Sequence, residues 1–293
     1  MLLQLILTNL VSMFKENNIV KADLEARLIL ESLSNLNTVD FIKNLGTISL
    51  NDNKVELAYS LAKRRIMGEP LAYILKYKNF WKDRFYVDNR VLIPRADSEV
   101  IIETLLKLEP NKDAKLTFLD IGLGSGCLAL SLLKEYKKAT AFGLDISQNA
   151  LDVAQINAYD LKVSKRIIFK HVDIFSDSFI KDIGVKTLFF NKKFNYIISN
   201  PPYIDINDIR IQDSVKNYEP HIALFASSNG LAFYEAIFKN SLLLLAKKGY
   251  VIVEIGADQH SDVIGIASKY NFHCTEQCKD MANIIRCLVF QNI

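Results

Sequence analysis

A chain of 293 residues, half of them hydrophobic and with a net charge of only +3, is not a disordered polymer. It has enough apolar residues for one large domain and a smaller one, and it shows no Lys/Arg-rich block of the kind that marks a nucleic-acid surface. Cys127, Cys274, Cys278 and Cys287 lack paired metal-ligand spacing, and His273 beside Cys274 and Cys278 matches no zinc motif. The four read as buried thiols in a reducing, cytoplasmic setting.

The apolar stretch Met1 to Phe14 has neither a basic leader nor a small-residue cleavage site, and it is too short to span a bilayer. It is expected to be a buried helix of a protein without membrane segments. Ala22, Ala26, Ile29, Leu30 and Leu33 share one helical face. A further helix through Val55, Ala58, Ala62 and Ile66 has Ser49 and Asn51 as candidate caps, and Gly68-Glu69-Pro70 stops it. Residues 1–75 therefore predict a small helical domain, either a packing appendage or a module that holds a substrate or partner. Phe80-Trp81 and Phe85-Tyr86-Val87, joined by Lys82-Asp83-Arg84, predict an aromatic hairpin within a 76–90 linker.

The third region, 91–293, opens with a strand Val91-Leu92-Ile93 broken by Pro94. Asp97 or Ser98 is expected to cap the next helix, and Arg95 either reaches a ligand or partner carboxylate or pairs with Glu99. Leu116 to Ile121 is a compact strand that runs into Gly122-Leu123-Gly124-Ser125-Gly126 and then a helix through Leu128, Leu132 and Leu133. Such a turn lets backbone approach a ligand that Cβ atoms would exclude, although its G-x-G-x-G spacing differs from the dinucleotide fingerprint. The following strand, Thr140 to Leu144, ends in Asp145, placed to accept from two ribose hydroxyls. Ser147 is the expected cap of the helix after it.

A strand from Ile167 to Val172 delivers Asp173-Ile174-Phe175. Asp173 either accepts from an adenine amino group, with Ile174 and Phe175 packing on the ring, or caps its own loop. Ser176 to Lys193 is expected to be loop. Phe194 to Ser199 forms the next strand and delivers Asn200-Pro201-Pro202-Tyr203. Two adjacent prolines cannot continue a sheet, so Asn200 stands at its carboxyl edge, where open α/β sheets bind ligands. There the Asn200 side-chain carbonyl and the Pro201 backbone carbonyl can accept both hydrogens of one NH₂ group, with Tyr203 packing over whatever carries it. A helix over 231–245, a strand from Tyr250 to Ile255, a helix through Val263 and Ala267, and an antiparallel pair at Phe272 to Thr275 and Ile284 to Phe290 complete an α/β fold.

The nucleotide half resembles class I S-adenosylmethionine methyltransferases. The whole chain resembles the HemK/PrmC-type peptide-chain release factor glutamine methyltransferases, through Gly68 to Ile74, Phe80-Trp81, Leu92 to Arg95, Asp120 to Gly126, Asp145, Asn157-Ala158, Asn200 to Tyr203, Tyr218-Glu219-Pro220, Gly230-Leu231, Glu254-Ile255-Gly256 and Asp280 with Arg286. The resemblance implies a seven-stranded Rossmann-like sheet with an N-terminal helical bundle and a linking hairpin. It implies that Gly122, Leu123, Gly124, Ser125, Gly126 and Asp145 bind S-adenosyl-L-methionine, with Asp173 and Ile174 beside the adenine. It further implies that Asn200 contacts both cofactor and substrate, and that Asn200, Pro201, Pro202 and Tyr203 are catalytic and hold the glutamine of a release factor's Gly-Gly-Gln motif. No metal, direct nucleic-acid contact or oligomer is expected. Leu123 stands where Thr is common in the family, and Ile174 at a position often aromatic or Leu. Ala226 to Asn229 replaces a stretch usually richer in Gly and Asp. An exocyclic-amine methyltransferase of nucleic acids and a non-catalytic cofactor-binding scaffold are the rival readings.

Overall fold

The computed structural model describes residues 1–183 and 193–292. The chain divides into two compact units, Met1–Lys76 with Gln212–Tyr218, and Tyr77–Ile211 with Glu219–Ile293.

The first unit is helical, with Leu3–Glu16, Ala22–Ser34, Thr38–Lys43, Asp52–Ile66, Leu71–Leu75 and Asp213–Tyr218 as its helices. Leu3, Ile6, Leu10 and Phe14 recur at helical spacing and are fully buried against Ala26, Ile29, Leu30, Phe41, Ala58 and Ala62. Asn51, not Ser49, caps the fourth helix, its Oδ1 accepting from Lys54 N at 3.0 Å. Asn37 does the same for the short Thr38–Lys43 helix, which its apolar pattern was too brief to reveal. Gly68 ends the fourth helix at φ 97°, a conformation that a Cβ disfavours. Glu25 and Arg65 form an ion pair across two of the helices.

The second unit begins with a hairpin, β1 (Tyr77–Phe80) and β2 (Asp83–Tyr86). Its turn is only Trp81-Lys82, with Trp81 at φ 55°, so Asp83 and Arg84 lie in the second strand and not in the connection. Residues 91–93, expected as a strand, join no ladder. The backbone N–H of Ile93 instead donates to the buried Glu219 carboxylate. The sheet is built from β3 (Thr117–Ile121), β4 (Thr140–Asp145), β5 (Ile167–His171), β6 (Phe194–Ser199), β7 (Leu245–Glu254), β8 (Phe272–Lys279) and β9 (Ile285–Asn292), in the order β5-β4-β3-β6-β7-β9-β8. β9 pairs antiparallel with both β7 and β8, and the remaining pairs of the sheet are parallel. β7 starts five residues before Tyr250 because Leu245 pairs with Phe194 ahead of a register shift between Phe194 and Tyr196.

Alternation along the strands sends side chains to two cores. Phe118, Tyr196, Ile198 and Ile252 face one layer of helices, while Leu119, Ile121, Ile197, Val251 and Val253 face the other. Among the described residues no helix is long and apolar enough to cross a membrane. Residues 176–193, expected as loop, include a short helix at Phe179–Asp182, and residues 184–192 of that stretch lie outside the described residues.

One buried side chain ties the hairpin to the glycine turn. Asn157, on the helix Gln148–Asp160, accepts from Tyr86 N at 2.6 Å and donates to Tyr86 O at 3.0 Å and Ser125 O at 2.8 Å. Asn157→Ala leaves these buried backbone groups unpaired and is expected to cost about 3 kcal/mol in urea denaturation. A loss below about 0.5 kcal/mol, the range of an ordinary surface change, would contradict this role.

Candidate active site

β5, β4, β3 and β6 are parallel neighbours, so their carboxyl ends share one edge of the sheet. The order turns at β3, with β4 on one side and β6 on the other, and a crevice opens at such a point. A cleft there is lined by Gly122, Leu123, Gly124, Ser125, Asp145, Asp173, Ile174, Asn200, Pro201 and Pro202. Gly126 and Tyr203 are not among its lining residues.

The loop after β3 is held by its neighbours. Gly122 N and Leu123 N both donate to Leu144 O, and the Ser199 hydroxyl donates to Ile121 O at 2.6 Å. Gly122 and Gly124 have φ of 77° and 55°, and a Cβ built on either meets no atom within 4 Å. That open space is a cradle that larger residues would fill. Gly126, at φ 81°, is closed instead: a Cβ there would meet Leu130 at 2.8 Å, so this glycine serves the packing of the helix it begins. Asp120 is buried at the end of β3 and accepts from Ala129 N in that helix's first turn. Burial pushes its carboxyl well above the usual carboxylate range.

Asp145 accepts from Gly124 N at 2.8 Å with one oxygen and from Ser147 N at 2.9 Å with the other. Burial raises its pKa against those two donors. Each carboxylate oxygen keeps a second acceptor site, which suits a vicinal diol. Ser147 caps the following helix through Ala150 N. Asp173 closes its own loop by accepting from Phe175 N at 2.9 Å, while Ile174 is buried at the cleft wall and Phe175 packs on Phe233. Open glycines, an acceptor pair and an apolar wall together fit a nucleoside cofactor.

Opposite these lies the end of β6. Asn200 Nδ2 donates to Ser98 Oγ at 2.9 Å. Among the described residues nothing donates to Asn200 Oδ1 or to the Pro201 carbonyl, so both acceptors remain available at the cleft. The Tyr203 hydroxyl donates to Glu254 Oε1 at 3.1 Å and sits away from the cleft lining. Glu254, at the end of β7, is 1% exposed, and burial pushes it up to about 7 although the Ser98 and Tyr203 hydroxyls favour its charged form. Ser98 therefore caps nothing, and neither does Asp97. Arg95 pairs not with Glu99 but with Glu219 at 2.6 Å, and it lines the cleft.

The stretch Ala226 to Asn229 has a structural task. Ser228, Asn229 and Gly230 all have positive φ, and a Cβ on Gly230 would lie 2.1 Å from Tyr203 O. This close approach seats the tight turn directly on the Asn200–Tyr203 loop. Gln259 fastens the same loop by donating to Tyr203 O at 3.0 Å.

Two family models match this chain, the PrmC N-terminal domain over residues 6–75 and the Methyltransferase small domain over residues 96–215. A curated release factor glutamine methyltransferase from Buchnera aphidicola subsp. Acyrthosiphon pisum is 35% identical, over 92% of this chain and 91% of the relative. The chain belongs to the release factor glutamine methyltransferase family. A second member, from Francisella tularensis subsp. tularensis, is 39% identical over 76% of this chain and 75% of its own length. At the level of fold alone, the catalytic domain of hMettl16, solved with MAT2A 3′UTR hairpin 1, matches with a TM-score of 0.52 at 15% identity, over 90% of each chain. Membership in this methyltransferase family implies S-adenosyl-L-methionine as the methyl donor, and the nucleoside-shaped half of the cleft suits it.

Sequence reasoning named part of the cleft's lining, together with Gly126 and Tyr203, which do not line it, and it missed the supports. Ser98 was expected as a helix cap and Glu219 stood only within the Tyr218-Glu219-Pro220 stretch of the resemblance, so neither signal pointed to its partner. Glu254 had a signal of its own, as an acid directly after the apolar run Tyr250 to Val253. If the cradle holds the cofactor, Gly124→Ala fills it. We expect S-adenosyl-L-methionine affinity by calorimetry to fall about tenfold or more, with a stability loss of about 1–2 kcal/mol from the left-handed backbone. Unchanged affinity would place the cofactor elsewhere.

Proposed function

We propose that this chain transfers the methyl group of S-adenosyl-L-methionine to the side-chain amide nitrogen of the glutamine in the Gly-Gly-Gln motif of peptide chain release factors, as a cytoplasmic monomer. The names of its relatives support the substrate, and its four free cysteines suit a reducing compartment. The observation that carries the chemistry is the pair of available acceptors, Asn200 Oδ1 and the Pro201 carbonyl, at the mouth of the nucleoside cleft.

An amide nitrogen is a weak nucleophile because its lone pair is delocalised into the carbonyl. Bound S-adenosyl-L-methionine supplies a sulfonium-activated methyl group, so the donor side needs no further activation. The protein's part is positioning. Asn200 Oδ1 and Pro201 O accept the two N–H bonds of the glutamine carboxamide, which turns its lone pair toward the methyl carbon. They would also stabilise the positive charge that grows on nitrogen as the N–C bond forms and the methyl–sulfur bond breaks. The sulfur keeps the bonding electrons, and the nitrogen then gives up one N–H proton to solvent. Pro201 and Pro202 fix the backbone that presents these acceptors, and Tyr203 anchors the loop to Glu254. Gly122, Leu123, Gly124, Ser125 and Asp145 hold the cofactor, with Asp173 and Ile174 at its adenine end, while Gly126 serves the packing of the helix behind them. The helical domain at residues 1–75 binds the protein substrate, and no nucleic acid takes part.

A tritiated-methyl assay with release factor and with an oligonucleotide tests this directly. Label in release factor alone is expected, and label in the oligonucleotide alone would reverse the assignment. Orientation contributes ~7 kcal/mol or more in well-aligned systems, and losing one oriented polar group costs ~3 kcal/mol. Asn200→Ala is thus expected to lower turnover roughly a hundredfold with the fold intact. Near-normal turnover would refute the clamp.

A further inference from the structure

The peptide unit that joins Tyr203 to Ile204 is held from both sides. Gln259 Nε2 donates to its carbonyl at 3.0 Å, and its N–H donates to Leu224 O at 3.1 Å. Upstream of it stand Pro201 and Pro202, which have no N–H and whose rings fix φ. This short, stiff path is tied at its near end to β6, where the Ser199 hydroxyl donates to Ile121 O. At its far end among the described residues, Gln259 is the one donor to the Tyr203 carbonyl. The direction of the Pro201 carbonyl is therefore set by where these two ends are held.

The Gln259 carboxamide is built into its place. Its Oε1 accepts from Gly256 N at 3.0 Å while Nε2 faces Tyr203 O and, at 3.4 Å, Asn229 O. A backbone N–H only donates and a backbone carbonyl only accepts, so one rotation of the amide satisfies both sides and the other satisfies neither. Two glycines make room for it. A Cβ on Gly256 would lie 2.9 Å from Oε1, and one on Gly230 would lie 2.7 Å from Nε2. The side chain also stands on a firm base, because Gln259 N donates to Gly256 O and Gln259 O accepts from Val263 N, at the start of the helix His260–Lys269.

We propose that Gln259 is a positioning residue for methyl transfer: it pins the Tyr203–Ile204 peptide plane and, through the two prolines, aims the Pro201 carbonyl at the substrate amide. Gln259 does not line the cleft, so it acts only through the loop. The proposal rests on the methyl-transfer reading above and adds the group that fixes one of its two acceptors. Without the bond the far end of the loop is loose, and a misplacement of about 1 Å costs as much as about a hundredfold in rate. The cofactor cradle lies on other strands, so the loss falls on kcat and not on cofactor binding.

Two variants of the full chain, assayed at about pH 8 where a glutamate is ionised, separate this role from simple packing. Q259E keeps the acceptor for Gly256 N but sets an oxygen against Tyr203 O. Q259K keeps a donor for Tyr203 O and gives up the acceptor. Each breaks one of the two bonds, so a merely structural contact would make their effects alike. We expect kcat for release factor to fall about tenfold or more in Q259E, with KM and S-adenosyl-L-methionine affinity unchanged, and to stay within about threefold of wild type in Q259K. Wild-type kcat in Q259E, or a loss in Q259K as large as in Q259E, would overturn the proposal. Should Q259E not fold in a thermal melt, Q259A replaces it with the same two outcomes.

A second measurement needs no turnover. Hydrogen exchange at the Ile204 amide, the other face of the same peptide unit, is followed by NMR without substrate. It should quicken about tenfold or more in Q259E and stay near the wild-type rate in Q259K. Unchanged exchange in Q259E would overturn the proposal. Absence of methyl transfer by the wild-type protein would count against the methyl-transfer reading instead, and the exchange rates would still decide whether Gln259 holds the loop.

Discussion

Pro201 and Pro202 have no N–H to give a neighbouring strand, so the chain must leave the ladder where β6 ends. That constraint puts Asn200 at the carboxyl edge and leaves a backbone carbonyl beside it without a sheet partner. Everything at the substrate side of the cleft is arranged around this exit. The Ser199 hydroxyl fastens it to the end of β3, Gly230 lies against Tyr203 O, and Gln259 donates to the same carbonyl. The loop is thereby held from three directions, which lets two acceptors keep a fixed spacing without a ligand to define it.

The cofactor side follows from sheet order. Because β3 has β4 on one side and β6 on the other, its glycine turn lies between Asp145 and Asn200. The glycines divide the work. Gly122 and Gly124 keep space open for a ligand, whereas Gly126 lets a helix pack closely, so one short motif holds two separate physical requirements. Burying Glu254 and Glu219 beneath this edge costs desolvation. Glu219 is offset by Arg95 and the Ile93 N–H, and Glu254 by the Tyr203 hydroxyl with Arg286 nearby.

Much of this was legible from local pattern. The strand-glycine-helix entry, Asp145 and the proline exit are set within a few residues, and the parallel order follows from strands alternating with helices. Resemblance to a family narrowed the substrate where chemistry alone left any planar amine open. Features that depend on distant partners were not legible. Arg95 meets Glu219 across 124 positions and Asn200 meets Ser98 across 102, and no spacing rule reaches that far. The hairpin turn was misplaced because the charged Asp83 and Arg84 looked like connection, while the bulky Trp81 took the left-handed position. The early start of β7 depends on a register shift against β6, which sequence periodicity does not carry.

The central claim is that one corner of the sheet holds a carboxamide by its two hydrogens and aims its lone pair at the methyl donor. A crystal structure with cofactor and a Gly-Gly-Gln peptide measures this directly. The account predicts the glutamine nitrogen about 3 Å from both Asn200 Oδ1 and the Pro201 carbonyl, and at about 3–3.5 Å from the methyl carbon. A glutamine bound with its carbonyl oxygen toward those acceptors, or outside their reach, would contradict it.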